Sequence, residues 1–83
     1  MPAVGRSAPD ATHTQSVVFK KDDWTETRAR SWLKSNDMFT DGLDETENTY
    51  RFRQYDPNDN KYRYRVVTKD LPAGVSFVIG FVK

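Results

Sequence analysis

The chain is predicted to fold as an α+β two-layer sandwich in the order β-α-β-β-β, one helix lying on one face of a mainly antiparallel sheet. Three observations predict it. A single segment, Thr25 to Ser35, carries apolar residues at helical spacing. Three later segments alternate with period two or run apolar as strands do. The chain has 83 residues, room for one small domain, because folding units rarely fall below about 50 residues. Hydrophobic residues make up 36% of it against 30% charged, so the core is small and function must sit on the surface.

Residues 1–15 include Gly5, Ser7, Pro9, Asp10, Thr12, His13 and Thr14 with no apolar periodicity. That composition cannot offset its own ordering entropy and reads as a flexible arm, dispensable for folding, before a single α+β domain over residues 16–83. Val17-Val18-Phe19-Lys20 is a short β-branched and aromatic run, the first strand. The hydroxyl of Thr25 is placed to cap a helix, and Trp24 to pack back on Ala29. The helix runs to about Ser35. Its apolar residues Ala29, Trp32 and Leu33 make one buried stripe, and Glu26 stands four residues before Arg30 as a favourable pair. Asn36-Asp37 ends it, and Met38, Phe39 and Leu43 close over one end of the core.

After Gly42, Tyr50, Phe52 and Gln54 alternate with Arg51, Arg53 and Tyr55, and later Tyr62, Tyr64 and Val66 alternate with Arg63, Arg65 and Val67. Between them Asp56-Pro57-Asn58-Asp59-Asn60 favours a turn, so the two strands read as a hairpin. Leu71-Pro72-Ala73-Gly74 makes the next turn. Val75 to Val82 is apolar at almost every position and reads as a last strand buried on both sides along part of its length. The expected core is Trp32, Leu33, Phe52, Tyr64, Phe77 and Ile79.

The absence of cysteine removes disulfides, thiol nucleophiles and thiolate zinc sites. No run approaches the about 18 to 20 apolar residues of a membrane helix, and Met1 to Gly5 holds no apolar signal core, so a soluble intracellular protein with no membrane partner is expected. The only histidine, His13, falls in the arm, which leaves a Ser/His/Asp arrangement without a rigid base and argues against an enzyme. Asp56-x-Asn58-x-Asn60 starts like a calcium loop but continues with Lys61 where glycine belongs and Val67 where glutamate belongs; Asp37-x-Phe39-x-Asp41-Gly42 has phenylalanine in a ligand position. No metal and no cofactor is expected. Gly74 and Gly80 belong to no phosphate-binding motif and read as turn or packing residues. The acidic residues Asp41, Asp44, Glu45 and Glu47 admit two readings, a solvated loop that screens nearby arginines or a site for a cation or a basic partner, and the first is favoured because surface charge runs usually do no more than this.

The charge pattern of the hairpin is the most informative feature. With the turn centred on Asn58, Arg53 pairs with Arg63 and Arg51 with Arg65, while Phe52 meets Tyr64 on the opposite face. Arg51, Arg53, Arg63 and Arg65, helped by Lys61, then form one basic binding face. Like charges directly opposite are destabilising, so the cluster needs a compensating partner: internal, as acidic residues or tyrosine rings, or external, as phosphate or an acidic protein surface. The open sheet face favours an external one.

Trp24-Thr25-Glu26, Ala29, Trp32-Leu33, Asp44-Glu45-Thr46-Glu47-Asn48, Tyr50-Arg51-Phe52-Arg53-Gln54 and the terminal Gly74-Val75 strand, taken together, resemble a small domain of tailed bacteriophages. That domain occurs beside or fused to prohead maturation proteases and other capsid-morphogenesis proteins. The resemblance spans about Val17 to Lys83. It implies a phage context, in the virion or the host cytoplasm, and binding rather than proteolysis, since no catalytic residue carries over. Three readings follow. One is a virion or head-assembly accessory that binds a capsid or assembly protein through its sheet face and arm. Another is a nucleic-acid binder using the arginine and tyrosine face, against which stands a net charge of only +1. The third is a small phage inhibitor of a host defence or transcription protein, with the acidic stretch as its working surface.

Overall fold

The computed structural model describes residues 4–83. Strand β1 (His13–Lys20) is followed by helix α1 (Glu26–Ser35), then β2 (Leu43–Glu45), β3 (Thr49–Arg53), β4 (Tyr62–Val67) and β5 (Val75–Val82). The expected β-α-β-β-β order holds, with the three-residue β2 added between the helix and the first arginine-bearing strand. All strands join one sheet in the order β2-β3-β1-β5-β4, every neighbouring pair antiparallel. The helix covers one face.

Local signals set the helix boundaries. Thr25 is extended and its hydroxyl accepts the Arg28 N–H, satisfying one of the unpaired donors of the first turn. At the other end Asp37 takes the left-handed conformation, φ 56°. The N–H of Met38 donates to the carbonyl of Leu33 and that of Asp37 to Lys34. This is the paired closing bond of a Schellman motif, with aspartate where glycine is usual. Glu26 and Arg30 pair at 3.0 Å.

Val17, Phe19, Ala29, Leu33, Phe52 and Val75 form the core. The ring of Phe19 meets Trp24, Trp32 and Phe52 edge to face at 5.1–5.8 Å. Trp24 also ties the helix entrance to the turn before β5, its indole N–H donating to the carbonyl of Ala73. Gly74, at φ 83°, lies so close to Asp23 and Trp24 that a Cβ there would sit 2.8 Å from the Asp23 carboxylate.

The expected hairpin does not form. β1 lies between β3 and β5, so the two arginine-bearing strands are separated by two others. The connection 54–61 crosses the end of the sheet: three strand spacings are about 14 Å, and eight residues reach about 26 Å. It passes over the start of β1, where Gln54 and Tyr55 both donate backbone N–H groups to the carbonyl of Gln15. The turn-forming residues 56–60 serve this crossing as well as they would a hairpin, and strand alternation does not name a strand's neighbour.

The register fixes the faces. Phe52, Val17, Phe77 and Val67 share one row, which faces the helix; Arg53, Ser16, Val78 and Val66 share the next, which faces away. Arg51 and Arg53 therefore lie on the face away from the helix, while Arg63 and Arg65, in phase with Val67, lie on the helix side. The single four-arginine face is thus replaced by two arginine pairs on opposite faces. The same change moves Tyr64 away from Phe52. Leu33 and Phe52 are buried as expected; Trp32, Tyr64, Phe77 and Ile79 are only half-buried. In β5, Val75, Val78 and Gly80 are buried, whereas Phe81 and Val82 are exposed.

The arm also differs from expectation. Residues 13–15 belong to β1, residues 1–3 lie outside the described residues, and residues 4–12 pack across the end of the sheet. The carboxylate of Asp56 accepts the backbone N–H groups of Val4 and Gly5, and the hydroxyl of Tyr62 donates to the carbonyl of Pro9 at 2.6 Å. His13 is buried in the sheet, its ring edge-on to Tyr55 and Tyr62. Its cross-strand neighbour must be glycine, because a Cβ on Gly80 would approach the imidazole to 2.7 Å.

Candidate protein-interaction surface

The arginines divide by whether the fold supplies their partners. Arg6 uses its whole fork: both terminal nitrogens bond the Asp41 carboxylate, at 2.9 and 2.7 Å, and Nε donates to the carbonyl of Gln54. Its guanidinium stacks 3.7 Å above the centre of the Phe39 ring, which keeps its other surface exposed. The hydrogen bond to Asp41 raises the Arg6 pKa, and the same bond lowers that of Asp41. Arg28 donates to the carbonyl of Asp23 and lies over Trp24. Arg30 joins Glu26 to the carbonyl of Thr40, tying the helix to the loop before β2.

On the face away from the helix, Arg51 is half-buried and reaches the Ser16 hydroxyl at 3.4 Å and Gln15 Oε1 at 3.5 Å. Ser16 donates in turn to Gln15 Oε1, and Gln15 Nε2 to the carbonyl of Tyr55. A β-bulge between Thr14 and Ser16 brings Gln15 into this network. Arg53 is only 7% exposed. Neither arginine of β3 is offered to a partner as a surface charge.

Arg63 and Arg65 behave differently. Both are exposed on β4, and neither has a hydrogen bond, ion pair or ring contact among the described residues. Across the ladder they face Phe81 and Ile79. With Phe81, which is 38% exposed, they line a cleft of about 210 Å³ on the helix side of the sheet. Lys61, expected to join them, is ion-paired with Asp10 of the arm. Of the five expected binding residues the structure therefore brings together Arg63 and Arg65, and turns Arg51, Arg53 and Lys61 to internal uses.

The acidic stretch is matched inside the fold at two positions, Asp41 by Arg6 and Glu45 by Lys21 at 2.6 Å, while Asp44 stands opposite Arg51 in the β2–β3 ladder. Sequence reasoning missed two features beside the site. One is the free outer edge of β4, and the other is the anchoring of the arm by Arg6. The second joins residues 35 positions apart, so no local pattern marks it. The first depends on strand order, which alternation does not name; it shows in the structure as Val66, Phe81 and Val82, apolar residues left on the surface. Among the described residues no group of three acidic, histidine or cysteine side chains is placed to hold a metal ion, and no helix is long and apolar enough to cross a membrane. Comparisons with protein-family models, curated proteins and solved structures found no match to this chain.

Proposed function

We propose that this domain is a non-catalytic interaction module that binds an acidic protein surface through Arg63 and Arg65. The observation that carries the reading is the contrast among the arginines: these two alone are both exposed and unmatched among the described residues, and they flank the exposed Phe81. Cations beside an exposed aromatic suit a protein interface, where arginine and aromatic residues are enriched. A nucleic-acid target fits less well. Two neighbouring arginines in a domain of net charge +1 supply few phosphate contacts and little counterion release. The resemblance of residues 17–83 to a phage morphogenesis domain supports a capsid or assembly protein as the partner, and so a virion or head-assembly accessory role.

The test is capture from phage-infected cells by the immobilised protein, comparing the parent with a folded Arg63→Glu/Arg65→Glu variant and with Arg51→Ala. The parent and Arg51→Ala should retain the same protein partner, and the double variant should lose it. Retention by the double variant overturns the reading. So does tight binding of the parent to DNA or RNA at physiological salt.

A further inference from the structure

We propose that β4 is a strand-addition site: its free edge accepts an extended segment of the partner, with acidic residues on the helix side and apolar residues on the other. The inference rests on the acidic-partner reading above and specifies how that partner docks. The register shows which backbone groups are free. Lys83 N–H donates to the carbonyl of Lys61 at 3.0 Å, so Lys61 directs its backbone toward β5. In an antiparallel ladder the inward groups recur at every second residue, here Arg63, Arg65 and Val67. The N–H and C=O of Tyr64 and Val66 then point away from the sheet, where no strand of the described residues lies. Such a row of unmatched donors and acceptors is a template for another strand.

Side chains beside that row select the occupant. Arg63 and Arg65 project on the helix side; Tyr64 and Val66, the latter 69% exposed, project on the other. A strand laid along β4 meets alternating cationic and apolar neighbours, and is matched by alternating acidic and apolar residues. A second copy of this chain fits poorly. Two-fold pairing of β4 with itself keeps each face continuous and sets arginine against arginine, which repels. The charges that discourage self-pairing are thus the ones that attract an acidic strand.

The experiment is an NMR titration of the labelled protein with a blocked seven-residue peptide, Thr-Glu-Val-Glu-Val-Glu-Thr. Two N-methylated forms accompany it. Docked antiparallel to β4, as every other pair in the sheet is, the peptide turns the N–H groups of its valines toward β4 and those of its glutamates away. Methylation at the valines should weaken binding by about tenfold or more, whereas methylation at the glutamates should leave it nearly unchanged. The amide signals of Tyr64 and Val66 should shift. Val66→Pro removes one outward N–H and no bond to β5, which an edge strand tolerates; it should also lose binding while keeping its melting temperature. Should Val66→Pro unfold, the methylated peptides still decide. Equal binding of all three peptides, lost in Arg63→Glu/Arg65→Glu, overturns strand addition and leaves the acidic-partner reading standing. No binding by any peptide at millimolar concentration overturns strand addition, and capture with the double variant then judges the broader reading alone. Self-association of the parent that Val66→Pro abolishes assigns the edge to a second copy and overturns the proposal.

Discussion

Arg51-Phe52-Arg53 and Arg63-Tyr64-Arg65 are the same local pattern, two arginines around an aromatic on a strand, and the fold treats them in opposite ways. In β3 the aromatic enters the core and the arginines are drawn into the sheet's far face, beside Ser16 and Gln15. In β4 the arginines stand exposed on the helix side and the aromatic turns away from it. The difference comes from neighbours. β3 is flanked by strands on both sides, β4 on one. A charge on a strand becomes a structural group or a binding group according to what pairs beside it, and the residues around it in sequence do not decide which.

The contrast is most exposed to disproof at the two aromatics. Phe52→Ala removes a fully buried ring that touches Phe19 and should cost about 3 to 5 kcal/mol. That is comparable with the whole stability of a domain this small, so the variant should be mostly unfolded at 25 °C. Tyr64→Ala removes a half-buried ring and the acceptor of the Asn58 N–H. It should cost about 1 to 2 kcal/mol and leave a cooperative melt. Equal losses would show that both aromatics share one core, as the hairpin arrangement required.

Elements whose signal is local were legible. The Thr25 cap, the Ala29-Trp32-Leu33 stripe and the Asn36-Asp37 stop placed the helix, because capping and stripe formation involve residues within one or two turns of each other. The two arginine strands and β5 were legible for a similar reason, alternation or a continuous apolar run. Their pairing was not. Val17 and Phe19 show that the first strand is apolar, but nothing in them says that it enters between β3 and β5. The crossing 54–61 carries the same Asp, Pro and Asn residues as a tight turn. Within the candidate site the residue types were legible, whereas the division of the arginines between faces follows from the β1 insertion alone. The arm's order is illegible in sequence for a related reason. Its order comes from Asp41, Tyr62 and Asp56, partners distant in sequence, and not from apolar periodicity.

Charge reversal sharpens the comparison at an intermediate scale. Arg51→Glu sets a carboxylate opposite Asp44 and beside Gln15 Oε1, and should cost about 1 to 2 kcal/mol. Arg63→Glu with Arg65→Glu reverses twice as much charge at exposed positions and should change stability by no more than about 0.5 kcal/mol. Thermal melts of the two variants in the same buffer decide it. A double variant less stable than Arg51→Glu would mean that the β4 arginines have structural partners, and the proposed binding surface would lose its basis.

The smallest effect concerns Arg6, which shares features of both pairs: it lies near the surface, yet the fold supplies its partner. The hydrogen bond from Arg6 holds the Asp41 carboxyl below the ordinary carboxylate range. A group whose folded pKa is depressed stabilises the fold above its unfolded pKa, and that contribution is lost as pH falls through the lower folded value. The parent should therefore melt slightly above Asp41→Asn from pH 7 to 5, and the gap should close below about pH 4. Solvent screening keeps it small, because the Asp41 side chain is 63% exposed. Arg6→Ala should reproduce the Asp41→Asn loss and also remove the stacking on Phe39, whereas Arg63→Ala should show no pH-dependent gap. If the gap between the parent and Asp41→Asn persists unchanged to pH 2, the charge of Asp41 does not anchor the arm. Arg6 would then join Arg63 and Arg65 as a cation the fold leaves available.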